Sequence, residues 1–290
     1  MLQICAHYKQ NWQRWPCSYV IASMVELVLS CWKAGKIIIP PTMGGHMGRF
    51  LAVVYGVLSY LVFLISFLYA IGFVTNTGVP KGIDSGMPGP VLSSIIINML
   101  LMGLFALQHS IMARPGFKAW WTKIIPEPIE RSTYVLLSSL ALILLYWLWQ
   151  PIPGLVWSVE GIGATILWAI CALGWGVVLL STLMIGHFEL FGLQQVYANL
   201  KNLRAAEPNL ITPGLYALVR HPIMTGFIIA FWATPQMSWG HLLFAAVTTV
   251  YIVLALQFEE RDLIGIFGDR YREYKNKVPM LVPFLKRGSK

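Results

Sequence analysis

The fold is decided by the stretch PIMTGFIIAFWATPQMSWGHLLFAAVTTVYIVLALQF, residues 222–258, which contains no Asp, Glu, Lys or Arg. As one helix it would be on the order of 50 Å long, whereas the hydrocarbon core of a bilayer is about 30 Å thick. Pro235 lies inside the stretch, and a proline within a helix removes a backbone hydrogen bond and breaks or kinks the helix. The stretch therefore predicts a helical hairpin that turns near residues 235–240 and has a short first arm.

Four further apolar segments are long enough to cross a membrane, because each lacks charged residues over about the 20 positions that a bilayer requires. They are residues 50–74, 91–113, 132–151 and 161–188. The chain is 57% hydrophobic and only 11% charged, whereas a soluble domain has about 25% charged residues. The sequence predicts an all-α integral membrane protein with five transmembrane helices, or six if both arms of the hairpin cross.

The basic residues predict the orientation in the membrane. Of the 21 Lys and Arg residues, only Lys81 falls in the loops on one side, so the remaining 20 lie on the other. Loops rich in Lys and Arg stay in the cytoplasm, so we expect both termini to be cytoplasmic, in a bacterial cytoplasmic membrane. The net charge of +9 then favours anionic lipids. No basic run alternates with aromatic residues as a nucleic-acid groove requires, so we expect no nucleic acid.

Residues 1–46 differ in character from the rest of the chain. The apolar segment 19–31 is short and contains Glu26, so it predicts neither a transmembrane helix nor a signal peptide. We expect residues 1–46 to be a dispensable extension and residues 47–290 to form a single membrane domain. An amphipathic helix on the membrane surface is the alternative for the extension.

Polar side chains gather at the predicted cytoplasmic ends of the helices. Several segments contribute them: His109, His187, Glu189, Arg220, His221 and residues 259–262. Charged groups are costly inside a membrane, so their collection at one end predicts a shared polar pocket. The alternative is that these side chains simply reach the headgroup layer. We predict no metal site, because none of them forms an HxxxH, HxxE or ExxH pair.

Two motifs near the C-terminus resemble a known family. They are GLYALVRHPIMTG at residues 214–226 and EERDLIGIFGDRYREYKNKVP at residues 259–279. In this order they resemble the isoprenylcysteine carboxyl methyltransferase superfamily of integral membrane proteins, which includes phospholipid methyltransferases and NnrU-like proteins. Upstream segments narrow the resemblance to the bacterial methanethiol S-methyltransferases: HSIMARPGFKAWWT (109–122), ERSTYVL (130–136) and HFELFGL (187–193). The resemblance covers nearly everything from Met47 onward.

The resemblance implies S-adenosylmethionine as the cofactor, bound on the cytoplasmic side by a C-terminal part of about residues 187–285. Carried over position by position, the cofactor-binding residues would be Pro208, Asn209, Leu210, Ile211, Tyr216, His221, Pro222, Ile223 and Met224. One carboxylate, Glu259 or Glu260, would bind it from the second hairpin arm. Tyr216 could face the adenine or the sulfonium, since aromatic faces attract cations.

Two positions depart from the family pattern. Met224 stands where the family often has Tyr, which leaves its contact with the cofactor open. Residues 254–257 lack the Arg with which prenyl-cysteine enzymes hold a substrate carboxylate. The second departure favours a small neutral thiol as the methyl acceptor.

The reaction that the resemblance implies is methylation of methanethiol to dimethyl sulfide. The alternatives are methylation of a lipid amine or a prenyl-cysteine, and a non-catalytic NnrU-like role. A simple alkanethiol ionises only well above neutral pH, so a base or a positive site would help. The candidate catalytic residues, unranked, are His109, His187, His221 and Arg220, and Arg114 is a second source of positive potential. The expected partners are a small volatile thiol and membrane lipids, and no protein partner is inferred.

Overall fold

The structure is a computed structural model that describes residues 45–203 and 210–283. In chain order the elements are α1 (His46–Thr75), α2 (Val91–Met112), α3 (Pro115–Trp121), α4 (Glu127–Leu148), β1 (Leu155–Ser158), α5 (Gly161–Met184), α6 (His187–Leu190), α7 (Leu193–Leu200), α8 (Leu215–Leu218), α9 (Pro222–Trp232), β2 (Gln236–Ser238), α10 (Trp239–Phe267) and α11 (Asp269–Lys277). The predicted extension 1–46, apart from its last two residues, lies outside the described residues. Pro208 and Asn209 lie outside them as well.

Five of these helices, α1, α2, α4, α5 and α10, have the length and apolar composition needed to cross a membrane. Many large apolar side chains on them point away from the protein, for example Ile65, Leu100 and Leu173. In a membrane such side chains face lipid, while each helix satisfies its own backbone hydrogen bonds. The prediction of an all-α, multi-pass integral membrane protein is therefore confirmed.

The hairpin has the predicted form. Its first arm, α9, has only 11 residues, which at 1.5 Å per residue is about half the thickness of the hydrocarbon core. The chain then turns through β2 and returns as the 29-residue helix α10. The second arm continues past the apolar run, so Glu259 and Glu260 belong to the same helix as the span.

Two helix boundaries differ from the predicted ones for identifiable reasons. Helix α4 begins at Glu127, before the predicted start at residue 132, because Pro128 occupies its first turn together with Glu127 and Glu130. Proline is pre-organised for the first turn of a helix, and acidic residues there complement the helix dipole. Helix α5 ends at Met184, not at residue 188, because Gly186 adopts a φ of 96°, a left-handed conformation that ends helices.

A close helix crossing joins α5 and α9 through two glycines. A Cβ atom added to Gly174 would lie 2.7 Å from the backbone nitrogen of Ala230, and one added to Gly226 would lie 2.7 Å from the carbonyl oxygen of Gly174. Small residues allow transmembrane backbones to approach in this way. This contact holds the short arm of the hairpin against a full-length helix.

The remaining helices complete one bundle. Helix α4 packs between α1 and α2, and α10 contacts α2 and α9. The main core cluster draws side chains from six helices, among them Phe73, Leu101, Tyr146, Trp175 and Phe244. We call the end that carries Lys81 and Asp84 the outer end of the bundle, and the opposite end the inner end.

The outer end is closed by a short antiparallel ribbon that the sequence does not predict. Strand β1 pairs with β2, with Leu155 opposite Ser238 and Trp157 opposite Met237. The Trp157 indole donates to the Thr234 carbonyl at 3.0 Å, and the Ser238 hydroxyl donates to the Asp84 carboxylate. These contacts fasten the turn of the hairpin to two neighbouring loops.

Candidate active site

At the inner end, the start of α9 and the end of α10 meet in a buried ion-pair network formed by Arg220, His221, Glu260 and Lys275. Arg220 donates to Glu260 Oε1 through Nε at 2.7 Å, and its Nη2 lies 2.6 Å from the same oxygen. His221 Nε2 lies 3.3 Å from Oε1, and Lys275 Nζ lies 2.7 Å from Oε2. Both oxygens of Glu260 are therefore engaged by protein cations or by imidazole.

The same residues bind the segment that follows α11. The backbone N–H groups of Arg220 and His221 donate to the carbonyls of Pro279 and Met280, at 2.9 and 3.2 Å. Arg220 Nη1 donates to the carbonyls of Lys275 and Val278, and the Thr225 hydroxyl donates to Leu281 O at 2.8 Å. Arg220 thus uses its donors to hold the C-terminal segment against the hairpin. Its buried side chain therefore positions this segment.

Glu259 has a different environment from its neighbour. It is 8% exposed and interacts electrostatically with His109, Tyr134 and Tyr251 on α2, α4 and α10. The two adjacent carboxylates therefore have different surroundings. Glu260 closes the network with α9 and α11, while Glu259 interacts electrostatically with groups on α2, α4 and α11.

Three of the residues predicted to line a cofactor, Tyr216, Ile223 and Met224, belong to one apolar cluster. Tyr216 and Ile223 pack with Leu190, and Met224 packs against them. Tyr216 is 1% exposed, its hydroxyl donates to Ser181 O at 3.4 Å, and its carbonyl accepts from the Tyr274 hydroxyl at 2.6 Å. Pro222 is buried as the first residue of α9, and Leu210 and Ile211 are half-buried in the preceding coil.

Two tyrosines of α11 lie beside the ion-pair network. Burial raises the pKa of both Tyr271 and Tyr274, so both hydroxyls keep their protons at neutral pH. Tyr271 is fully buried and interacts electrostatically with Glu259 and Glu260. Among the groups that the structure describes, its hydroxyl has no hydrogen-bond partner. A polar ligand beside Glu259 would find an available donor there.

His109 lies in a cluster between α2 and α4. The Tyr134 hydroxyl is 3.0 Å from both of its ring nitrogens, and the Ser138 hydroxyl is 3.3 Å from Nδ1. The Arg131 guanidinium lies over the Tyr134 ring, 5.1 Å from its centroid, and donates through Nε to Leu190 O at 2.7 Å. This cluster combines a histidine with two charged neighbours, Arg131 and Glu259.

His187 begins α6 and is held on both sides by hydroxyl groups. Its Nε2 is 2.9 Å from the Tyr60 hydroxyl, and its Nδ1 is 2.9 Å from the Thr182 hydroxyl. Burial lowers the pKa of His187 from about 6.5 to about 4, so the imidazole is neutral at physiological pH. The neutral ring therefore has one nitrogen that carries a lone pair and can accept a hydrogen bond.

The predicted catalytic candidates thus fall into three environments. Arg220 and His221 share the ion-pair network, whereas His109 and His187 lie in separate clusters. The predicted second source of positive potential, Arg114, pairs with Asp262 at 2.9 Å. The sequence interpretation missed Tyr60, Tyr134 and Tyr271, all of which touch or adjoin these groups. A pattern in α1 could have indicated Tyr60, because polar residues at 55, 59, 60 and 66 interrupt that apolar span.

Comparison with known proteins adds a family to this geometry. Residues 164–270 match the family model described as phospholipid methyltransferase. The chain is 54% identical to a methanethiol S-methyltransferase of Mycobacterium tuberculosis, over 82% of this chain and 98% of the relative. It is 53% identical to methanethiol S-methyltransferase 1 of Bradyrhizobium diazoefficiens, over 84% and 86%. Mouse nurim is 30% identical over 60% of this chain and 69% of its own length. No solved structure matches the chain significantly.

Proposed function

The chain belongs to the methanethiol S-methyltransferase family, and we propose that it transfers a methyl group from S-adenosylmethionine to methanethiol, which yields dimethyl sulfide. The observation that carries the proposal is the meeting of α9 and α10 at the inner end. There, a buried carboxylate, a tyrosine hydroxyl without a partner among the described groups, and an apolar wall lie around one region.

The side chains at the inner end suit this cofactor. Glu259 supplies a carboxylate for the ammonium or the ribose hydroxyls of the cofactor. Tyr271, which interacts electrostatically with Glu259, supplies a hydroxyl. Tyr216, Ile223 and Met224 supply an apolar and aromatic wall for the adenine and the sulfonium. We assign the cofactor carboxylate to Glu259, which interacts electrostatically with Tyr271, and a positioning role to Glu260, whose oxygens both take part in the ion-pair network.

When bound, the cofactor supplies a methyl group on a positively charged sulfur, which a thiolate can attack from the opposite side. The chain contributes orientation, removal of the thiol proton and exclusion of water. The ion-pair network of Arg220 and Glu260 keeps the C-terminal segment in place over the start of α9. Of the three candidate histidines, His187 is the one whose contacts are hydroxyl groups and aromatic rings rather than charged side chains, which makes it our choice as the proton acceptor.

The location in the membrane is part of the proposal. All basic residues except Lys81 belong to the inner end or to the segments connected to it, and the positive-inside rule then puts that end in the cytoplasm. S-adenosylmethionine is a charged, water-soluble molecule and would enter from this side. Dimethyl sulfide is small and apolar, so it can leave through the lipid, which gives a physical reason for a membrane-embedded site.

The test is the headspace gas of bacterial cells that express this chain and are supplied with methanethiol. We expect dimethyl sulfide above the level of cells with an empty vector. If the purified protein instead methylates a prenyl-cysteine or a lipid amine and gives no dimethyl sulfide, the acceptor is wrong and the methyl-transfer class stands. If it binds no S-adenosylmethionine, the chain is a non-catalytic member of the superfamily and the proposal fails.

A further inference from the structure

The hydrogen bonds around His187 define its proton positions. The Thr182 hydroxyl has one proton, and it donates this proton to Leu179 O at 2.7 Å. Towards His187 Nδ1, at 2.9 Å, Thr182 can therefore only accept, so the proton of the neutral imidazole lies on Nδ1. Nε2 then carries the lone pair and accepts from the Tyr60 hydroxyl at 2.9 Å. The remaining lone pairs of the Tyr60 oxygen are available to accept a hydrogen bond.

Aromatic side chains surround this pair. The rings of Phe63, Phe188 and Phe191 lie 6.0, 6.2 and 6.2 Å from that of Tyr60, measured between centroids. Phe63 and Phe191 stack on each other at 3.9 Å, and Phe191 lies 4.8 Å from the His187 ring. Tyr60 is buried, whereas the three phenylalanines are half-buried. The surroundings of the pair are therefore apolar, and the rings that form them are partly exposed.

The same cluster adjoins the wall assigned to the cofactor. Helix α6 carries His187 at its first residue and Leu190 at its last, and Leu190 packs with Tyr216 and Ile223. The Tyr216 hydroxyl reaches the carbonyl of Ser181, which directly precedes Thr182 in α5. Phe191 packs against the cluster that contains Tyr216 and Ile223, and its ring also lies 4.8 Å from that of His187. One turn of α5 and the single turn of α6 therefore connect the Tyr60–His187 pair with the apolar wall of the proposed cofactor site.

We propose that Tyr60 and His187 form the binding site for the acceptor thiol, walled by Phe63, Phe188 and Phe191, and that they take up its proton. The proposal rests on the proposed methyl transfer. In the step, the thiol S–H bond breaks and its proton passes to the Tyr60 oxygen as the Tyr60 proton passes to His187 Nε2. The thiolate sulfur bonds to the methyl carbon as the bond from that carbon to the sulfonium breaks, leaving an electron pair on a neutral thioether. His187 then releases the proton to water.

The other two histidine clusters suit this role less well. His221 is buried against Glu260, inside a network that also contains Arg220 and Lys275. His109 has Arg131 and Glu259 as charged neighbours. The neighbours of His187 are hydroxyls and aromatic rings. A small neutral thiol with an apolar methyl group matches apolar surroundings that contain one polar pair.

The test compares Tyr60→Phe with Tyr69→Phe in the purified full-length protein. Tyr69 lies further along the same helix and donates one hydrogen bond, to Lys81 O at 3.0 Å, so the control removes the same group at the outer end. Each variant is assayed with methanethiol and with 2,2,2-trifluoroethanethiol, a far more acidic thiol that is largely ionised at mildly alkaline pH. Affinity for S-adenosylmethionine is measured by calorimetry.

For Tyr60→Phe we expect kcat/KM with methanethiol to fall by about 100-fold, the lower range for loss of general acid–base help. With the acidic thiol, kcat/KM should fall much less, because little of that thiol needs deprotonation, and cofactor affinity should be unchanged. Equal losses for both thiols, or a Tyr60→Phe variant that behaves like Tyr69→Phe, would overturn the inference. If the unmodified protein makes no dimethyl sulfide, the proposed function has failed first.

A second comparison tests whether the phenylalanine rings line the acceptor site. Phe188→Ala should raise the rate with propanethiol relative to methanethiol, because the truncated side chain leaves room for a longer alkyl group. Phe50→Ala, at an exposed position near the start of α1, should leave this ratio unchanged. Binding of both thiols is also measured by calorimetry with S-adenosylhomocysteine bound, where no turnover occurs. A ratio unaltered by Phe188→Ala in both rate and binding would place the acceptor elsewhere.

Discussion

Arg220 Nε and Glu260 Oε1 lie 2.7 Å apart although 40 positions separate the two residues along the chain. Both side chains are almost fully buried, and the hairpin of α9 and α10 is what brings them to the same end of the bundle. Loss of this ion pair would therefore indicate that the inner ends of α9 and α10 have separated.

Replacing Glu260 by Gln should destabilise the protein severely. Removing one partner leaves the buried Arg220 charge uncompensated, which costs about 3–5 kcal/mol. We expect a large fall in the thermal unfolding temperature of the detergent-purified protein, together with protease sensitivity of the segment after α11. The matched control is Asp269→Asn, which breaks the exposed pair of Arg272 and Asp269 and should cost about 0–1 kcal/mol. Similar unfolding temperatures for the two variants would contradict the structural role of Glu260.

Replacing Glu259 by Gln should instead affect the cofactor. A charged hydrogen bond contributes about 1.5–3 kcal/mol, so we expect the dissociation constant for S-adenosylmethionine to rise by about 10-fold to 100-fold. The unfolding temperature without ligand should change much less than for Glu260→Gln. Calorimetric titration of both variants measures the difference. Unchanged affinity in Glu259→Gln would remove this residue from the cofactor site.

The stability of the protein should fall as the pH is lowered from about 6.5 towards about 4. The pKa of His187 is about 4 in the folded protein because of burial, against about 6.5 in an unfolded chain. Between these values the unfolded chain binds a proton that the folded protein does not, so stability is full above the upper value and declines below it. His187→Gln should have a flatter dependence of unfolding temperature on pH in this window. An identical slope would show that His187 does not titrate in this way.

The crossing of α5 and α9 predicts opposite results for two glycines of the same helix. A methyl group on Gly174 would meet backbone atoms of α9 at 2.7–3.0 Å, and overpacking of this kind typically costs about 1–3 kcal/mol. Gly174→Ala should therefore lower the unfolding temperature. Gly176 has no atom within 4 Å of an added Cβ, so Gly176→Ala should be neutral or slightly stabilising, since alanine favours helix. Equal effects of the two variants would contradict the close crossing.

Much of the fold follows from local sequence. Long uncharged runs predict the spans, and Pro235 predicts the turn of the hairpin, because each of these signals lies within one continuous segment of the chain. The ribbon of β1 and β2 is harder to predict, since Leu155 and Ser238 pair across 83 positions of the chain and neither strand has an alternating pattern long enough to stand out. Such pairings depend on how the bundle packs.

The candidate site is also only partly predictable from the sequence. Arg220, His221 and the two glutamates are visible in the sequence as charges beside apolar runs, and the charge count assigns them to one end. Which of the two carboxylates joins the ion-pair network cannot be read from the chain, because Glu259 and Glu260 are adjacent and the partners of Glu260 come from other segments. Tyr60 could not be predicted as a site residue for another reason. Its partner His187 lies 127 positions away, and a tyrosine inside an apolar helix does not by itself indicate a site.

The most direct test of methyl transfer uses the purified protein with methanethiol and S-adenosylmethionine that carries a trideuterated methyl group. Gas chromatography with mass spectrometry then follows the volatile product. We expect dimethyl sulfide with one deuterated and one ordinary methyl group, formed in proportion to the protein added and reduced in Glu259→Gln and Tyr60→Phe. Dimethyl sulfide without deuterium, or no dimethyl sulfide from a folded protein that binds the cofactor, would contradict the proposed reaction.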